Sequence, residues 1–199
     1  MAKRMLDVLL ATLGLLLLAP LLLLVAAAIK LDSPGPVFYR QERVGRHGRL
    51  FRIHKFRTMR HDPTDAGLQI TVGADPRITR VGAWLRRTKF DELAQLLDVL
   101  QGSMSVVGPR PEVPRYVALY PTHLRDKVLS VRPGITDPVS LEFRNESDLL
   151  ARAADPQREY EQVILPRKLE YAVRCVEEAS LARDLQVICR TLATLFTRR

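Results

Sequence analysis

The sequence has few residues of the types that usually build disulfide frameworks or metal centres. It contains two cysteines, Cys175 and Cys189, and four histidines among 199 residues. The cysteines are not at metal-ligand spacing, so we expect both to be small core or interface residues in a reducing compartment. His54 and His61 also lack neighbours at metal-ligand spacing. We therefore expect no disulfide framework, and we assign these histidines no catalytic role.

Acidic residues are outnumbered by basic ones. The chain has 22 Asp and Glu against 31 Lys and Arg, which gives a net charge of +9. A charge of this size indicates an anionic partner, and nucleic acid, an anionic membrane surface and a phosphorylated substrate all satisfy it. At 199 residues the chain can bury one substantial core but is short for two full domains.

Polar residues are scarce in one long stretch near the start of the chain. From Val8 to Ile29, only Thr12, Gly14 and Pro20 interrupt a run of apolar residues. As a helix rising about 1.5 Å per residue, this run is long enough to cross a bilayer. It exceeds the apolar core of a typical signal peptide, and no small-residue cleavage site follows it. We therefore predict a membrane anchor and no cleaved signal.

Pro20 decides how such an anchor can sit in the membrane. Proline lacks an N–H donor and disfavours helical geometry at the preceding residue, so we expect a sharp kink or break there. Each arm is then under about 20 Å long, shorter than the ~30 Å hydrocarbon core. Lys3 and Arg4 precede the run while Lys30 and Arg40 follow it, which favours a re-entrant helix with both ends in the cytoplasm. A single kinked crossing and a buried core helix are the alternatives.

The pattern changes after the anchor to short stretches typical of strands. Residues 37–41 and 50–56 lie on either side of a turn at 45–48, which predicts a β-hairpin. The second strand is basic and includes Lys55. Its positive side chains fit either a solvated face or a face that contacts phosphate groups.

Two adjacent carboxylates, Asp91 and Glu92, lie in the first turn of an amphipathic helix that we expect to end near Gly102. The apolar residues of this helix recur at helical spacing and are Leu93, Leu96, Leu97 and Leu100. The helix dipole favours acidic residues in a first turn by about 0.3–1 kcal/mol, so structure alone can account for the pair. Basic neighbours, with Arg86 before the pair and Arg110 after it, indicate a functional role instead.

Arg110 lies between Pro109 and Pro111. Two flanking prolines fix the backbone on either side, which suits an arginine that holds an anion; a simple proline-rich turn is the alternative. The final segment carries an apolar stripe at helical spacing, made of Leu181, Leu185, Ile188, Leu192, Leu195 and Phe196. Such a stripe is typical of a helix packed on a core or lying in a membrane interface, and core packing is the commoner cause.

In their order and spacing, these segments resemble the small monotopic phosphoglycosyltransferases, the bacterial sugar transferases that start glycan assembly on a polyprenyl phosphate. The resemblance covers nearly the whole chain. Its motifs are Lys3–Asp7, Lys55–Met59, Asp75–Thr79 with Gly82, Asp91–Leu93, Met104–Ser105 with Gly108–Pro111, and Arg132–Thr136.

The resemblance implies an α+β fold that is mainly helical. A re-entrant membrane helix broken at Pro20 would be followed by a small β-hairpin and by interfacial amphipathic helices around a compact catalytic domain. Residues 1–35 would form the membrane anchor. Residues 36–199 would form a cytoplasmic catalytic domain that ends in an amphipathic helix, on the cytoplasmic face of the bacterial inner membrane.

The resemblance also implies a reaction. The Asp91 carboxylate would attack the sugar-bearing phosphorus of a nucleotide diphosphate sugar, most commonly a uridine one, and UMP would leave. Polyprenyl phosphate would then collect the phosphosugar from the enzyme, as in other nucleophilic, ping-pong catalysis. Mg²⁺ is the implied cofactor, with Asp91 and Glu92 as its site. The implied partners are the sugar nucleotide, polyprenyl phosphate and the bilayer, with no nucleic acid.

The remaining site residues are carried over position by position. The implied phosphate-binding residues are Lys55, Arg57, Arg86, Arg110 and Arg144. Asp184 matches a late acidic position, and we expect it to pair with a basic residue such as Arg86 in a supporting role. The chain departs from the family pattern at Ala19, Ala94 and Ser103.

A non-catalytic membrane adaptor is the alternative function. Its polybasic surface would bind anionic lipid or nucleic acid in a salt-sensitive way, and Asp91 would be dispensable. The segments 136–140 and 154–166 differ from the family pattern, so the resemblance does not specify the sugar. A homodimer is compatible with the sequence.

Overall fold

The computed structural model describes residues 1–60, 75–137 and 146–196. Within these ranges the chain is mainly helical, and its short strands form three two-stranded pairs. The predicted α+β, mainly helical class is therefore confirmed. Arg144, one of the predicted phosphate-binding residues, lies outside the described ranges.

The apolar run forms one helix, α1 (Ala2–Asp32), and the helix continues through Pro20. By length and composition it could cross a membrane, and only 11% of its most apolar window is buried against the rest of the protein. Its large exposed side chains include Leu9, Leu13, Leu16, Leu17, Leu23 and Leu24. This exposure does not fit a buried core helix. The break at Pro20, the re-entrant path and the domain boundary after residue 35 stay predictions.

The opposite face of α1 packs on later segments of the chain along both halves of the helix. Ala11 is buried in a cluster with Val99, whereas Val25 and Ile29 are buried in a second cluster with Leu85. Burial of apolar side chains contributes about 25 cal/mol per Å² removed from water. The helix is therefore part of the fold as well as a candidate anchor.

The predicted hairpin is present, but it is divided into two short ladders. Strands β1 (Phe38–Tyr39) and β4 (Lys55–Phe56) pair antiparallel, as do β2 (Glu42–Val44) and β3 (Leu50–Arg52). Because side chains alternate along a strand, Phe56 enters the core while Lys55 points to the other side.

A tight helical corner follows. Helix α2 (Arg80–Thr88) has Thr79 as its N-cap and ends at Lys89, which is left-handed with φ 61°. A 3₁₀ helix over Phe90–Gln95 leads into α3 (Leu96–Gln101). Gly102, with φ 86°, caps α3 as the sequence predicts.

Strand β5 (Ser105–Val107) pairs in parallel with β6 (Gly134–Thr136). The backbones cross so closely that a Cβ at Gly134 would lie 2.1 Å from the backbone nitrogen of Gly108. Only glycine permits this approach. The crossing fixes the start of the Pro109–Pro111 segment.

The second half of the chain is helical. It contains α4 (Pro114–Val117), α5 (Thr122–Val128), α6 (Glu146–Ala151), α7 (Pro156–Glu159), a π-helical turn (Tyr160–Ile164), α8 (Leu165–Glu177) and α9 (Leu181–Phe196). A third core cluster joins these helices and contains Val113, Tyr116, Leu150, Tyr160, Ile164 and Leu165.

Helix α9 buries a different face from the one that its leucines suggest. Asp184 and Val187 are buried, whereas Leu181, Leu185 and Leu192 are exposed. Core packing therefore does not explain this part of the stripe. The exposed leucines favour the alternative, a helix that lies in a membrane interface.

Polar residues at the start of α1 fix it to the domain. The Lys3 ammonium contacts the Asp184 carboxylate at 2.6 Å, and the Ser105 hydroxyl donates to the Asp7 carboxylate. Asp184 thus has a basic partner, as expected, but that partner is Lys3 and not Arg86. The reason is topological, because α9 and the start of α1 both lie against β5.

Candidate active site

Lys89, the left-handed residue at the end of α2, leads into the segment that carries the predicted carboxylates Asp91 and Glu92. Lys89 turns the backbone, and the 3₁₀ helix that follows carries Asp91 and Glu92 in its first turn. Asp91 is only 3% exposed. Buried carboxylates are costly unless they are paired, so the groups that face Asp91 define the site.

Lys55 forms ion pairs with both carboxylates. Its Nζ lies 3.0 Å from Asp91 Oδ2 and 3.3 Å from Glu92 Oε1. Strand β4 delivers this side chain from the hairpin, and the two segments are far apart in sequence. The structure therefore places the predicted Lys55 against the predicted pair.

Arg110 holds Glu92 through both guanidinium branches. Its Nη1 donates to Glu92 Oε2 at 3.0 Å, and its Nη2 donates to Oε1. Such bidentate contacts are stronger and more directional than single hydrogen bonds. Burial alone would raise the pKa of Glu92, but the positive charges of Arg110 and Lys55 hold that pKa well below its usual range. Glu92 is therefore ionised at neutral pH.

One oxygen of the two carboxylates, Asp91 Oδ1, has no hydrogen-bond partner among the described residues. This oxygen is also buried. An unsatisfied buried acceptor costs about 1–3 kcal/mol, so a fold rarely retains one without a use. The neighbouring Glu92 oxygens, by contrast, are both engaged. Asp91 Oδ1 is thus a buried acceptor that a bound ligand would satisfy.

Arg86 lies on the same side of α2 as the carboxylates. Its Nε donates to the Thr58 hydroxyl at 2.9 Å, and its charge interacts with those of Asp91 and Asp75. Burial lowers the pKa of this guanidinium, and the two carboxylates oppose that effect. Because arginine pKa values lie far above neutrality, the side chain stays cationic. Arg86 therefore adds positive charge beside Asp91.

Arg57, another predicted phosphate-binding residue, contacts the end of α1. Its guanidinium donates to the backbone carbonyls at the end of α1, with Nη2 at 2.7 Å from Ser33 O, and Nη1 bonds to Pro34 O. The contacts satisfy carbonyls that have no partner within the helix. In this arrangement Arg57 fixes α1 to the hairpin, and its predicted role in phosphate binding stays a prediction.

Two supporting pairs were not identified from the sequence. Arg43 Nη1 donates to the Pro111 carbonyl at 2.9 Å and lies 3.7 Å from Glu112 Oε2, so it holds the segment that carries Arg110. His54 Nδ1 lies 2.7 Å from Asp98 Oδ1, next to Lys55. The partners are 68 and 44 residues apart, and no local pattern could have paired them.

The carboxylates were also predicted to hold Mg²⁺. No group of three or more His, Cys, Asp and Glu side chains suited to a metal occurs within the described ranges. Mg²⁺ is usually bound by one or two carboxylates together with substrate phosphates and water. Asp91 Oδ1, which has no protein partner among the described residues, fits such a shared site. Both Glu92 oxygens already accept from Arg110, so Glu92 would contact an ion only by sharing or releasing those contacts.

A comparison with known proteins identifies the family of the chain. A family model described as bacterial sugar transferase matches residues 1–198. The chain therefore belongs to the bacterial sugar transferase family, and the resemblance identified from its motifs is confirmed.

Several characterised relatives match nearly the whole chain. The exopolysaccharide production protein PSS of Rhizobium leguminosarum bv. phaseoli is 40% identical over 205 residues, which cover 98% of this chain and 96% of that protein. The UDP-glucose:undecaprenyl-phosphate glucose-1-phosphate transferase of Escherichia coli K12 is 36% identical over 200 residues, which cover 99% of this chain but 40% of that protein. The Caulobacter vibrioides protein of the same name is 42% identical over 200 residues, which cover 98% of this chain and 70% of that protein.

Proposed function

We propose that this protein transfers a sugar-1-phosphate from a nucleotide diphosphate sugar, with UDP as the nucleotide, to a polyprenyl phosphate. The relatives named for transfer from UDP-glucose to undecaprenyl phosphate support this substrate class. A relative from Aeromonas hydrophila, 36% identical over 199 residues, is named for N-acetylgalactosamine instead. The proposal therefore covers the reaction and leaves the sugar to experiment.

The observation that carries the proposal is the unpartnered Asp91 Oδ1. It belongs to a buried carboxylate whose other oxygen is held by Lys55. A carboxylate that is fixed at one oxygen, and whose other oxygen is not occupied by a protein donor, has the form required of a nucleophile.

The chemistry proceeds in two displacements. Asp91 Oδ1 forms a bond to the sugar-bearing phosphorus, and the bond from that phosphorus to the bridging oxygen breaks. UMP leaves with the bonding electron pair, and the enzyme carries a phosphosugar. An oxygen of polyprenyl phosphate then attacks the same phosphorus, which releases Asp91 as a carboxylate and forms the lipid diphosphosugar. Two steps at one site allow a soluble donor and a lipid acceptor to react in turn.

The basic residues around the pair would bind the phosphate groups. Lys55, Arg86 and Arg110 all lie near the carboxylates, and fixed positive charge in a water-poor site stabilises the charge that develops during phosphoryl transfer. Arg144 belongs to the same proposal. Arg57 would act through the position of α1, given its contacts with the end of that helix.

Asp91 and Glu92 would hold Mg²⁺ together with the diphosphate. The ion would neutralise the repulsion between the carboxylate and the phosphate oxygens. Glu92 is already fixed by Arg110 and Lys55, so its part is to orient the ion as well as to contact it.

We further propose that α1 enters the bacterial inner membrane and returns to the cytoplasmic face. Its leucine-rich exposed face and the exposed leucines of α9 support contact with lipid. Labelling of Ala2→Cys and Pro36→Cys, with Cys175 and Cys189 replaced, tests the topology. Both cysteines should react only from the cytoplasmic side, and reaction from opposite sides would establish a single crossing.

The adaptor alternative does not account for the carboxylate site. A polybasic adaptor needs positive surface charge, but it has no need of a buried carboxylate with an unpartnered oxygen. It predicts salt-sensitive lipid binding without turnover of any sugar nucleotide.

The test is release of UMP by the full chain in lipid nanodiscs that contain undecaprenyl phosphate. A panel of UDP-sugars is supplied with Mg²⁺, and each reaction is repeated with a chelator. Release from one or a few donors, lost on chelation, is the expected result. If none of the UDP-sugars gives UMP while the protein still binds anionic vesicles, either the donor is a sugar or nucleotide outside the panel or the adaptor hypothesis is correct.

A further inference from the structure

Glu112, two residues after Arg110, is a buried carboxylate to which the proposed reaction gives no role. It is 9% exposed. Its Oε1 accepts a hydrogen bond from the Tyr160 hydroxyl at 2.9 Å, and its Oε2 lies 3.7 Å from Arg43 Nη1. Lys168 Nζ lies 3.9 Å from Oε1. These three partners come from β2, the π-helical turn and α8, and with Glu112 they form what we call the Glu112 cluster.

Tyr160 is suited to hold Glu112 as a hydrogen-bond donor. Burial, and after it the charge of Glu112, raise the pKa of the Tyr160 phenol, so the hydroxyl keeps its proton at neutral pH. The residue begins the π-helical turn, a rare element that is often found at functional sites. Its ring packs on that of Tyr116, with centroids 4.6 Å apart, and Lys168 Nζ lies 4.9 Å from its centroid. Contacts on the ring therefore fix where the hydroxyl points.

Stability alone does not account for the Glu112 cluster. Lys168 also pairs with Glu146 of α6 at 2.5 Å, so two carboxylates and two cations lie together, largely shielded from water. Replacement of buried ion pairs by apolar side chains of similar volume is often neutral or stabilising. What a fully joined polar network can add is a single defined arrangement of the segments that it connects.

The cluster is attached directly to the backbone that carries Arg110. Arg43 also donates to the Pro111 carbonyl at 2.9 Å, and the Val44 N–H donates to the Glu112 carbonyl at 3.0 Å. Pro111 lies between Arg110 and Glu112, and its ring fixes φ, so rotation about that bond cannot absorb a shift of Glu112. A displacement of Glu112 therefore reaches Arg110.

The partners of Glu112 also decide which carboxylate Arg110 binds. The charges of Glu92 and Glu112 both act on Arg110, and that of Glu92 acts more strongly. Arg43 and Tyr160 already engage Glu112. The Arg110 guanidinium is thus left to Glu92, which it contacts through both of its branches.

We propose that Glu112 is a positioning residue that directs Arg110 toward Glu92 and the transferring phosphoryl group. The inference rests on the proposed function, because it assigns Glu112 a part in that reaction. Glu112 acts through the backbone and the guanidinium of Arg110 and not by contact with a substrate. A misplacement of about 1 Å in a catalytic group can lower a rate about 100-fold, so the loss of this anchor is measurable in kcat.

A double-mutant cycle on kcat tests whether Glu112 acts through Arg110. The full chain is assayed in nanodiscs with a saturating UDP-sugar and undecaprenyl phosphate. Glu112→Gln should lower kcat about tenfold, whereas Glu170→Gln, at an exposed carboxylate of α8, should leave it unchanged. In the Arg110→Gln protein, Glu112→Gln should have no further effect, because the group that it positions is gone. A further tenfold fall there, or a wild-type kcat in Glu112→Gln alone, would overturn the proposal.

Two tyrosine variants provide a matched pair in the same core cluster. Tyr160→Phe loses the hydrogen bond to Glu112, whereas Tyr116→Phe loses a longer one to Gln157 at 3.4 Å. Tyr160→Phe should lower kcat about fivefold, and Tyr116→Phe should leave it near the wild-type value. Equal kcat values for the two variants would overturn the proposal. If Glu112→Gln does not fold, Tyr160→Phe replaces it in the cycle with Arg110→Gln and in the unfolding measurement below.

A measurement that does not depend on activity separates this inference from the proposed function. Urea unfolding of Arg110→Gln, Glu92→Gln and the double variant gives the coupling free energy between Arg110 and Glu92. In the Glu112→Gln background this coupling should fall by about half or more. An unchanged coupling would overturn the positioning role, whether or not the protein consumes UDP-sugars. A reduced coupling in a protein that releases no UMP from any donor would support the role of Glu112 and count against the reaction.

Discussion

Two neighbouring pairs of residues show how similar burial can serve different ends. His54 and Lys55 are adjacent in the hairpin, and they contact Asp98 and Asp91 in the same helical segment. Both aspartates are almost fully buried. Asp98 accepts hydrogen bonds at both oxygens, from the His54 backbone N–H and from its ring. Asp91 is held at one oxygen only.

The difference separates a structural carboxylate from a reactive one. The fully satisfied Asp98 joins the hairpin to α3 and thereby fixes the position of Lys55. The partly satisfied Asp91 keeps one oxygen available for chemistry. Satisfaction of hydrogen bonds, and not burial or charge, therefore distinguishes the two residues.

Replacement of Asp91, the reactive carboxylate, should have the largest effect on activity. Asp91→Asn keeps the shape of the side chain but removes the nucleophilic charge, so we expect UMP release to fall by at least about 1,000-fold. The effect on folding should be much smaller, because Asp91→Asn removes one ion pair of Lys55 but leaves its pair with Glu92, and no hydrogen bond to Oδ1 is lost. Turnover and thermal unfolding in nanodiscs measure the two quantities, and Asp126→Asn on exposed α5 is the control. Activity near the wild-type level in Asp91→Asn would refute the assignment.

Replacement of Asp98, the structural carboxylate, should lower stability more than activity. Asp98→Asn disturbs a hydrogen bond to His54 at a buried carboxylate, which should lower the free energy of unfolding by about 2–3 kcal/mol. The nucleophile remains, so activity per folded molecule should fall far less than in Asp91→Asn. Urea titration in detergent gives the stability. A stable but inactive Asp98→Asn would place Asp98 in the chemistry and break the comparison.

Arg110→Gln tests the charge around Glu92. The loss of a guanidinium that stabilises the transferring group should lower kcat about 100-fold. The pKa of Glu92 is lowered in the folded protein, so its ionisation stabilises the fold above its unfolded pKa of about 4.5, and this contribution is lost as pH falls below that value.

The stability difference between wild type and Arg110→Gln should therefore be largest at neutral pH and shrink below about pH 4.5. Unfolding of both proteins over this range provides the measurement. Arg115→Gln is the control, because Arg115 forms an exposed ion pair with Glu161. A difference that is constant with pH would mean that Arg110 does not set the ionisation of Glu92.

Gly82→Ala probes the close contact between α2 and the backbone of Thr58. A Cβ at Gly82 would lie 2.0 Å from the backbone oxygen of Thr58, and Thr58 also accepts from Arg86. The chain must shift, which should cost about 1–3 kcal/mol of unfolding free energy. Ala83→Ser, at the neighbouring exposed position, should be close to neutral in the same urea titration. Equal stability of the two variants would contradict the close packing.

The smallest expected change in stability comes from Lys89, at the turn before Asp91 and Glu92. Lys89 has φ 61°, a left-handed conformation that costs a non-glycine residue about 1–2 kcal/mol. Lys89→Gly and Lys89→Ala both remove the charge, but only glycine relieves the strain. Glycine should therefore be the more stable of the two by about 1 kcal/mol in urea titrations. The reverse order would show that the turn is not strained.

Local patterns predicted the elements of this protein better than their partners. The helical run after Phe90, the cap at Gly102 and the hairpin follow from spacing and turn residues. The spacing did not reveal that the first half of this run, Phe90–Gln95, is 3₁₀ and that only Leu96–Gln101 is α-helical. The contacts of Arg57 with α1 and of Asp184 with Lys3 depend on how distant segments meet, so the motifs that contain them did not reveal their partners. The leucines of α9 show the same limit, because periodicity identifies an apolar face but not what covers it.

The most direct measurement of the central claim is the intact mass of the full chain after acid quenching. The purified protein is mixed with its UDP-sugar and Mg²⁺ in the absence of polyprenyl phosphate. We predict a stoichiometric adduct with the mass of the phosphosugar, located on the peptide that contains Asp91 and discharged when undecaprenyl phosphate is added. UMP release without any adduct on Asp91, or an adduct that forms equally in Asp91→Asn, would contradict the account.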